Sequence, residues 1–339
     1  MKASLASSLL KALSLAAAVA VPAKAQEYNE HKLKLSYVVP KTHSYGAGVE
    51  FLERWLDEKS GGKIQLKGYS DGLLGAEVQS ISGAKGNVIQ LAVVSTAAAA
   101  TTVPAFGLFD MPYLFRTHAE ADAILDGEIG SDILGKLEEN SLIGLCYWEN
   151  GFRQVTNNKH PIMKLEDFAG LKIRTIENPV FIDTFNTLGA NAVPMAFTEV
   201  YSALETGAID GQETPHNSIS TSRFYEVQKY VSETGHIYGA AVVLASKGLW
   251  DQLNEDERNL LRKGCEEARA FERGKNREND PKLKESLVAE GMEANGLSPE
   301  ELGRIQQALK PVYDKHADRI GRETVDSALK ALEEMRKAN

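Results

Sequence analysis

The sequence predicts an α/β protein built as two units. Three observations carry that reading. Residues 33–95 alternate short β-rich runs with segments of helical spacing, the pattern of a parallel sheet covered by helices. A second alternating series starts near Gly151. Beyond Leu249 nearly everything reads as helix. The chain carries no repeat of solenoid period. No stretch rich in Pro, Gly or Ser separates the two units, so strands that cross between them are expected to join them.

Leu33 to Val39 opens the first unit as a strand. Val49, Leu52, Trp55 and Leu56 recur at helical spacing between Gly48 and Lys59, and Gly61-Gly62 ends that helix. Lys63 to Tyr69 alternates apolar and polar residues as a second strand. A helix over Ala76 to Ala84 leads to the β-branched strand Val88 to Ser95. Thr117-His118-Ala119-Glu120 reads as a capping box that starts a helix running to Glu139, before the strand Leu142 to Glu149. In the second unit, Gly151 to Asn158 is a crossing strand. Leu171 to Thr175 follows as a strand and Val180 to Leu188 as a helix stopped by Gly189. Thr198 is expected to cap a helix over Glu199 to Glu205, ended by Gly207, and Ile209 to Gln212 is short and extended. Val231 to Ala245 is one long β-rich run. Asn254 caps a long charged helix, and Ser298-Pro299-Glu300-Glu301 starts another with Pro at its first position.

The 339 residues are 43% hydrophobic and 25% charged, with 28 Gly, 11 Pro and 2 Cys. This is the composition of an ordinary globular protein, large enough to fold without disulfide staples. The formal charge of −9 argues against nucleic acid, which calls for a basic face. It does not exclude an anionic ligand held at a local cationic site.

Lys2 and Lys11 precede or flank a mostly apolar run, Ala12 to Val21, and Ala23-Lys24-Ala25 follows as a small-residue cleavage site. The segment 1–25 is expected to be a secretory signal peptide, leaving Gln26 as the new N-terminus. The apolar run is about half the roughly 20 residues of a spanning helix, so a free, uninserted mature chain outside the cytoplasm is expected. Removal of 1–25 takes away Lys2, Lys11 and Lys24 and no acid, leaving 35 basic against 47 acidic residues and a charge near −12. The two cysteines of an exported chain are free to pair. Cys146 lies in the strand-like Leu142 to Trp148, however, and Cys265 in the charged run Arg262 to Glu267, and the reading is two unpaired thiols.

Motifs of catalysis are mostly absent. H-E-x-x-H, C-x-x-C, G-x-S-x-G and the phosphate-binding G-x-x-x-x-G-K-[ST] do not occur. Ser60/Lys63 and Ser82/Lys85 match S-x-x-K, but without its S-D-N and K-T-G companions. The seven His show no metal-ligand spacing. Neither a metal nor a cofactor is expected, and enzyme is the weaker class.

One set of segments is more specific. Gly151-Phe152-Arg153-Gln154, Glu166-Asp167-Phe168-Ala169-Gly170-Leu171-Lys172-Ile173-Arg174-Thr175, Val193-Pro194-Met195-Ala196-Phe197-Thr198-Glu199-Val200-Tyr201 and Asp210-Gly211-Gln212-Glu213-Thr214-Pro215 follow one another in order. Leu74-Gly75 and Phe109-Asp110-Met111-Pro112-Tyr113 precede them, and Tyr225 to Tyr230 follows. Together they closely resemble the solute-binding subunits of TRAP (tripartite ATP-independent periplasmic) transporters, across essentially the whole mature chain. The resemblance implies a two-domain periplasmic binding protein of type II-like fold, with crossing strands and long C-terminal helices. Residues 26–150 and 240–279 would form domain I; 151–239 and 280–339 would form domain II with the C-terminal helices. The implied function is capture of a small organic acid, such as a dicarboxylate, sugar acid, keto acid or aromatic acid, in the interdomain cleft. A monomeric chain would deliver it to membrane permease subunits for uptake driven by an ion gradient. An exported enzyme acting on small acids, or a receptor serving a sensor protein, are the alternatives.

By the same resemblance Arg174, in Gly170-Leu171-Lys172-Ile173-Arg174, pairs with the ligand carboxylate. A guanidinium presents a planar fork of donors that suits both carboxylate oxygens. Periodicity alone reads it as a strand-end charge paired with Glu177. Arg153 would add a second contact to the anion. Phe197 matches an aromatic position against the ligand's carbon skeleton, with core packing as the other reading. Thr214 stands where many members carry Asn, which keeps a hydroxyl and loses an amide. Ser95 and Thr96 end the third strand, where open α/β sheets bind ligands. Trp148, Glu149 and Asn150 line the cleft or form the hinge, and Glu177 follows Arg174 closely enough to tune ligand choice. The hydroxyls of Ser95, Thr96 and Thr214 favour a hydroxylated acid.

Overall fold

The computed structural model describes residues 26–338, and the expected signal peptide 1–25 lies outside the described residues. Eleven strands among the described residues build two sheets. The first unit supplies β1 (His31–Ser36), β2 (Ile64–Tyr69), β3 (Leu91–Ser95) and β4 (Leu142–Phe152). The second supplies β5 (Gln154–Asn157), β6 (Lys172–Thr175), β7 (Asn191–Pro194), β8 (Gly211–Thr214) and β9 (Tyr230–Glu233). β10 (Tyr238–Ser246) and β11 (Glu293–Gly296) complete the set. The first sheet has the order β2-β1-β3-β10-β4 and the second β11-β9-β5-β8-β6-β7. β1 pairs in parallel with β2 and β3, while β10 runs antiparallel between β3 and β4.

Two connections cross between the sheets. The chain leaves β4 at Phe152, passes Arg153 and enters β5; it returns from β9 through Thr234 to Ile237 into β10. The two crossings touch, with Arg153 N–H donating to the Ile237 carbonyl at 2.9 Å. The single run expected over Val231 to Ala245 is therefore two strands, because residues 234–237 must turn the chain from one sheet to the other.

Local chemistry explains most elements. The helix Ser44–Ser60 begins earlier than its spacing predicts, because His43 caps it by accepting from Tyr45 N–H at 3.2 Å. It ends on Gly61 in the left-handed conformation at φ 63°. The helix expected from Thr117 to Glu139 breaks into His118–Leu125 and Glu128–Gly135. Gly127 makes the break: a Cβ there would lie 2.5 Å from the Ala123 carbonyl. Thr198 does not cap the helix Val200–Glu205; it sits inside a 3-10 turn, Phe197–Glu199. Asn254 does cap the 35-residue helix Glu255–Ala289, through a reciprocal pair with Glu257.

The two cysteines are paired, which corrects the expectation of free thiols. Cys146 of β4 and Cys265 of the long helix form a disulfide across a Cα separation of 6.0 Å. The flanking charges of Cys265 hid its place in a buried stripe with Leu261, Ala268 and Glu272, the helix face laid on the first sheet. The bond fastens the N-terminal half of this helix to that sheet.

The other face of the first sheet shares one apolar core with the second sheet and with the helices Pro299–Ala308, Lys310–Ile320 and Arg322–Ala338. Phe106, Phe109 and Tyr147 meet Phe168, Ile173 and Phe185 within that cluster. The C-terminal helices thus contact material from both sheets. No helix among the described residues is long and apolar enough to cross a membrane.

Candidate functional site

The carboxyl ends of β3 and β6 and the crossing segments converge on one interior space. Arg174 lies within the second sheet, opposite Gln212 of β8 and Val193 of β7. Met195, just past β7, donates its N–H to the Thr175 carbonyl at 3.1 Å, which fixes its peptide beside β6. The Met195 carbonyl then accepts from Arg174 Nε at 2.9 Å and Nη2 at 2.6 Å. The third nitrogen, Nη1, is buried and has no hydrogen-bond partner among the described residues. Burial pulls the guanidinium down to about 10, opposed chiefly by Glu213, so it remains charged at neutral pH. A buried, charged donor without an acceptor is costly, and an anion would relieve it.

Two adjoining small spaces flank this side chain and share Glu77, Arg174, Ile176 and Phe197 as walls. The larger is also lined by Tyr45, Ser95, Asn150, Arg153, Thr214 and Ser218. Both sheets therefore contribute. Two larger and more open hollows lie elsewhere. None of the buried, unpartnered polar atoms of the described residues belongs to their walls.

Arg153 is handled differently from Arg174. Nε donates to Glu213 Oε2 at 2.5 Å, and Nη2 donates to Glu213 Oε1 at 3.0 Å and to its carbonyl at 2.7 Å. Its guanidinium carbon lies 5.2 Å from the Phe181 ring centre. Burial would lift the Glu213 carboxyl, but Arg153 and His236 hold it below the usual carboxylate range. The Arg153 charge is thus largely answered within the protein.

The remaining sequence candidates divide. Phe197 stacks its ring 5.9 Å from the Arg174 guanidinium carbon and packs against the cores on both sides of the space. Thr214 and Ser95 line the space, and Glu177 lies exposed at its edge. The Ser95 hydroxyl is already committed: it donates to Glu77 Oε2 at 3.0 Å and accepts from Ala98 N–H at 3.1 Å. Thr96 turns away, its one hydroxyl proton shared between Asp110 at 3.0 Å and the Ala240 carbonyl at 3.2 Å. Trp148 lies fully buried behind the wall, in the core of the first sheet, against the helix Ser44–Ser60. Gly48 permits that contact, since a Cβ there would sit 2.9 Å from the indole.

Sequence reasoning did not single out Glu77, Tyr45 or Ser218. Glu77 accepts from Ser95 N–H at 2.5 Å, and burial raises its carboxyl above the ordinary range. Its signal was present as an acid in the first turn of a helix. Tyr45 and Ser218 carried no such mark. No cluster of His, Cys, Asp and Glu fit to hold a metal occurs among the described residues.

Comparison with known proteins identifies the family. The family described as bacterial extracellular solute-binding protein, family 7, matches residues 35–319. The 2,3-diketo-L-gulonate-binding periplasmic protein YiaO of Escherichia coli is 36% identical over 261 residues, covering 77% of this chain and 80% of that protein. The C4-dicarboxylate-binding periplasmic protein DctP of Rhodobacter capsulatus is 33% identical over 325 residues, covering 95% and 96%. Among solved structures, the sugar acid binding protein of Advenella mimigardefordensis in complex with galactonate superposes with a TM-score of 0.89 at 37% identity, covering 91% of this chain and 99% of that one. With the order of its motifs, its two-sheet fold and its whole length in agreement, the chain belongs to the family 7 solute-binding proteins, the DctP family of TRAP transporters.

Proposed function

We propose that this chain captures a small organic acid in the space around Arg174 and delivers it, unchanged, to a TRAP membrane permease. One observation carries the reading: Arg174 Nη1 is charged, buried and unpartnered beside a small space lined by both sheets. Its other two nitrogens are fixed on Met195, so the free one points in a set direction, which favours capture over loose ion pairing. A carboxylate on Nη1 would lie near Phe197, whose ring offers an apolar wall for carbon atoms.

Residues 26–150 with 240–279 form one lobe in this reading, and 151–239 with 280–339 the other. The lobes close on the ligand by motion at the two crossings, as hinge proteins do. The mature chain works as a monomer in the periplasm after removal of residues 1–25. Uptake by the permease is driven by an ion gradient.

The substrate class is a hydroxylated monocarboxylate. The space offers one free cation at Arg174, while Glu77 presents acceptor oxygens to the same space and disfavours a second carboxylate. Relatives named for galactonate and diketogulonate binding support this class, and one named for C4-dicarboxylates marks its limit.

Thermal melting against galactonate, erythronate and succinate tests the reading. A ligand of the folded state raises the melting point by mass action. Galactonate or erythronate should raise that of the wild type and not that of Arg174→Ala. Equal shifts in both proteins would remove Arg174 from the site. Chromatography should recover the acid chemically unchanged; turnover would favour an enzyme.

A further inference from the structure

Asn150 is the extra residue of a β-bulge. Along β4, Glu149 pairs with Ala240 and Gly151 with Gly239, so Asn150 between them has no partner on β10. Bulges of this kind re-aim a side chain. Here the Asn150 backbone carbonyl accepts from Asn276 Nδ2 at 3.1 Å, and its side chain reaches the wall of the space that holds Arg174.

A directional chain of hydrogen bonds holds the amide. Tyr45 N–H donates to His43 Nδ1 at 3.2 Å, so that nitrogen carries no proton. The neutral ring must then bear its proton on Nε2, which lies 3.2 Å from Ser218 Oγ and donates to it. Burial keeps this histidine neutral, depressed to about 3. Ser218, having accepted from His43, donates its own proton to Asn150 Oδ1 at 3.1 Å. The amide oxygen is thereby occupied, and the Asn150 Nδ2 donors have no partner among the described residues.

We propose that His43 and Ser218 are positioning residues that lock the Asn150 amide with its Nδ2 donors toward the ligand. Asn150 then selects acids that carry a hydroxyl on the carbon chain. The hydroxyl oxygen accepts from Asn150, and the hydroxyl donates its hydrogen bond to Glu77, which lines the same space. This rests on the carboxylate-capture reading of Arg174 and extends it from the charged end of the ligand to its chain. A site built to hydrogen-bond a hydroxyl rejects the analogue lacking it far more strongly than an apolar pocket rejects a missing methylene.

The test is calorimetric titration of the full mature chain with two matched pairs, galactonate with hexanoate and erythronate with butanoate. The wild type should prefer the hydroxylated member of at least one pair by a hundredfold or more. Ser218→Ala should cut that preference at least tenfold, weakening the hydroxylated acid more than the plain one. Ser218→Thr, which keeps the hydroxyl, should retain it, and Asn150→Ala should lose it, the hydroxylated acid weakening far more than the plain one. An unchanged preference in Ser218→Ala overturns the inference. So does a wild type that binds both members of each pair equally, in which case carboxylate capture still stands. A wild type that binds none of the four acids, or an Arg174→Ala variant that binds them normally, overturns carboxylate capture itself and this inference with it.

Discussion

Arg153 and Glu213 form a buried pair in which two guanidinium nitrogens meet the carboxylate at 2.5 and 3.0 Å, and a third contact joins Nη2 to the Glu213 carbonyl. The pair sits where the chain crosses between the sheets. It separates the two arginines: the Arg153 charge is answered by a carboxylate, while Arg174 Nη1 has no hydrogen-bond partner among the described residues.

Removal of one partner should therefore destabilise the fold. Glu213→Ala leaves Arg153 charged and buried, and a cost of about 3–5 kcal/mol is expected from such losses. Chemical unfolding of the ligand-free protein measures it. A cost below about 1 kcal/mol would mean the pair is solvated in solution.

The acid limb of stability should carry the same signature. The folded Glu213 carboxyl lies below its ordinary value. Its contribution is present above the unfolded value, near 4.5, and is lost as pH falls through the folded value. Glu213→Gln should flatten melting temperature against pH below about 4.5. An identical acid limb in the variant would contradict the assignment.

His216 acts in the opposite sense. It lies between Glu233 at 2.9 Å and Asp280 at 3.0 Å, which tie the second crossing to the long helix. Burial works against its charge, but the two carboxylates raise it from 6.5 to about 9. The stabilisation is full below 6.5 and is lost as pH rises through about 9. His216→Gln should be less stable than wild type at pH 6 and close to it at pH 10. A gap that persists at pH 10 would assign the histidine a packing role instead.

The disulfide gives a third stability test. Cys146 and Cys265 are 119 residues apart, and closing so long a loop is worth about 4–5 kcal/mol in the chain-entropy account. Reductant should lower the melting point of the wild type toward that of the Cys146→Ala/Cys265→Ala protein, and leave the latter unchanged. Coincident melting with and without reductant would show the bond adds nothing.

Much of this was legible in the sequence because it depends on local signals. Caps at Asn254 and Ser298, the glycine stop at Gly61 and the alternation of β1 to β3 with helices are set within a few residues. The placement of Arg174 and Arg153 beside one space was legible through motif order, whereas the pairing of Arg153 with Glu213 was not. What was not legible depends on distance. The Cys146–Cys265 bond follows from a helix laid on a strand 119 residues away. Thr96 reads as a strand-end hydroxyl, but Asp110 and the Ala240 carbonyl claim it. Trp148 alternates away from the cleft, and only the pairing of β4 with β10 settles which face that is. Short β7 and β11, and the helix His216–Thr221 that carries Ser218, lack a periodic signal of their own.

The most direct measurement of the central claim is the affinity of Arg174→Ala for whichever acid the wild type binds most tightly, beside Thr96→Val as a control. Arg174→Ala should bind at least about a hundredfold more weakly, the scale of losing a buried charged hydrogen bond. Thr96→Val should lower stability while changing affinity less than about twofold, since its hydroxyl serves Asp110 and not the ligand. Wild-type affinity in Arg174→Ala would contradict the account.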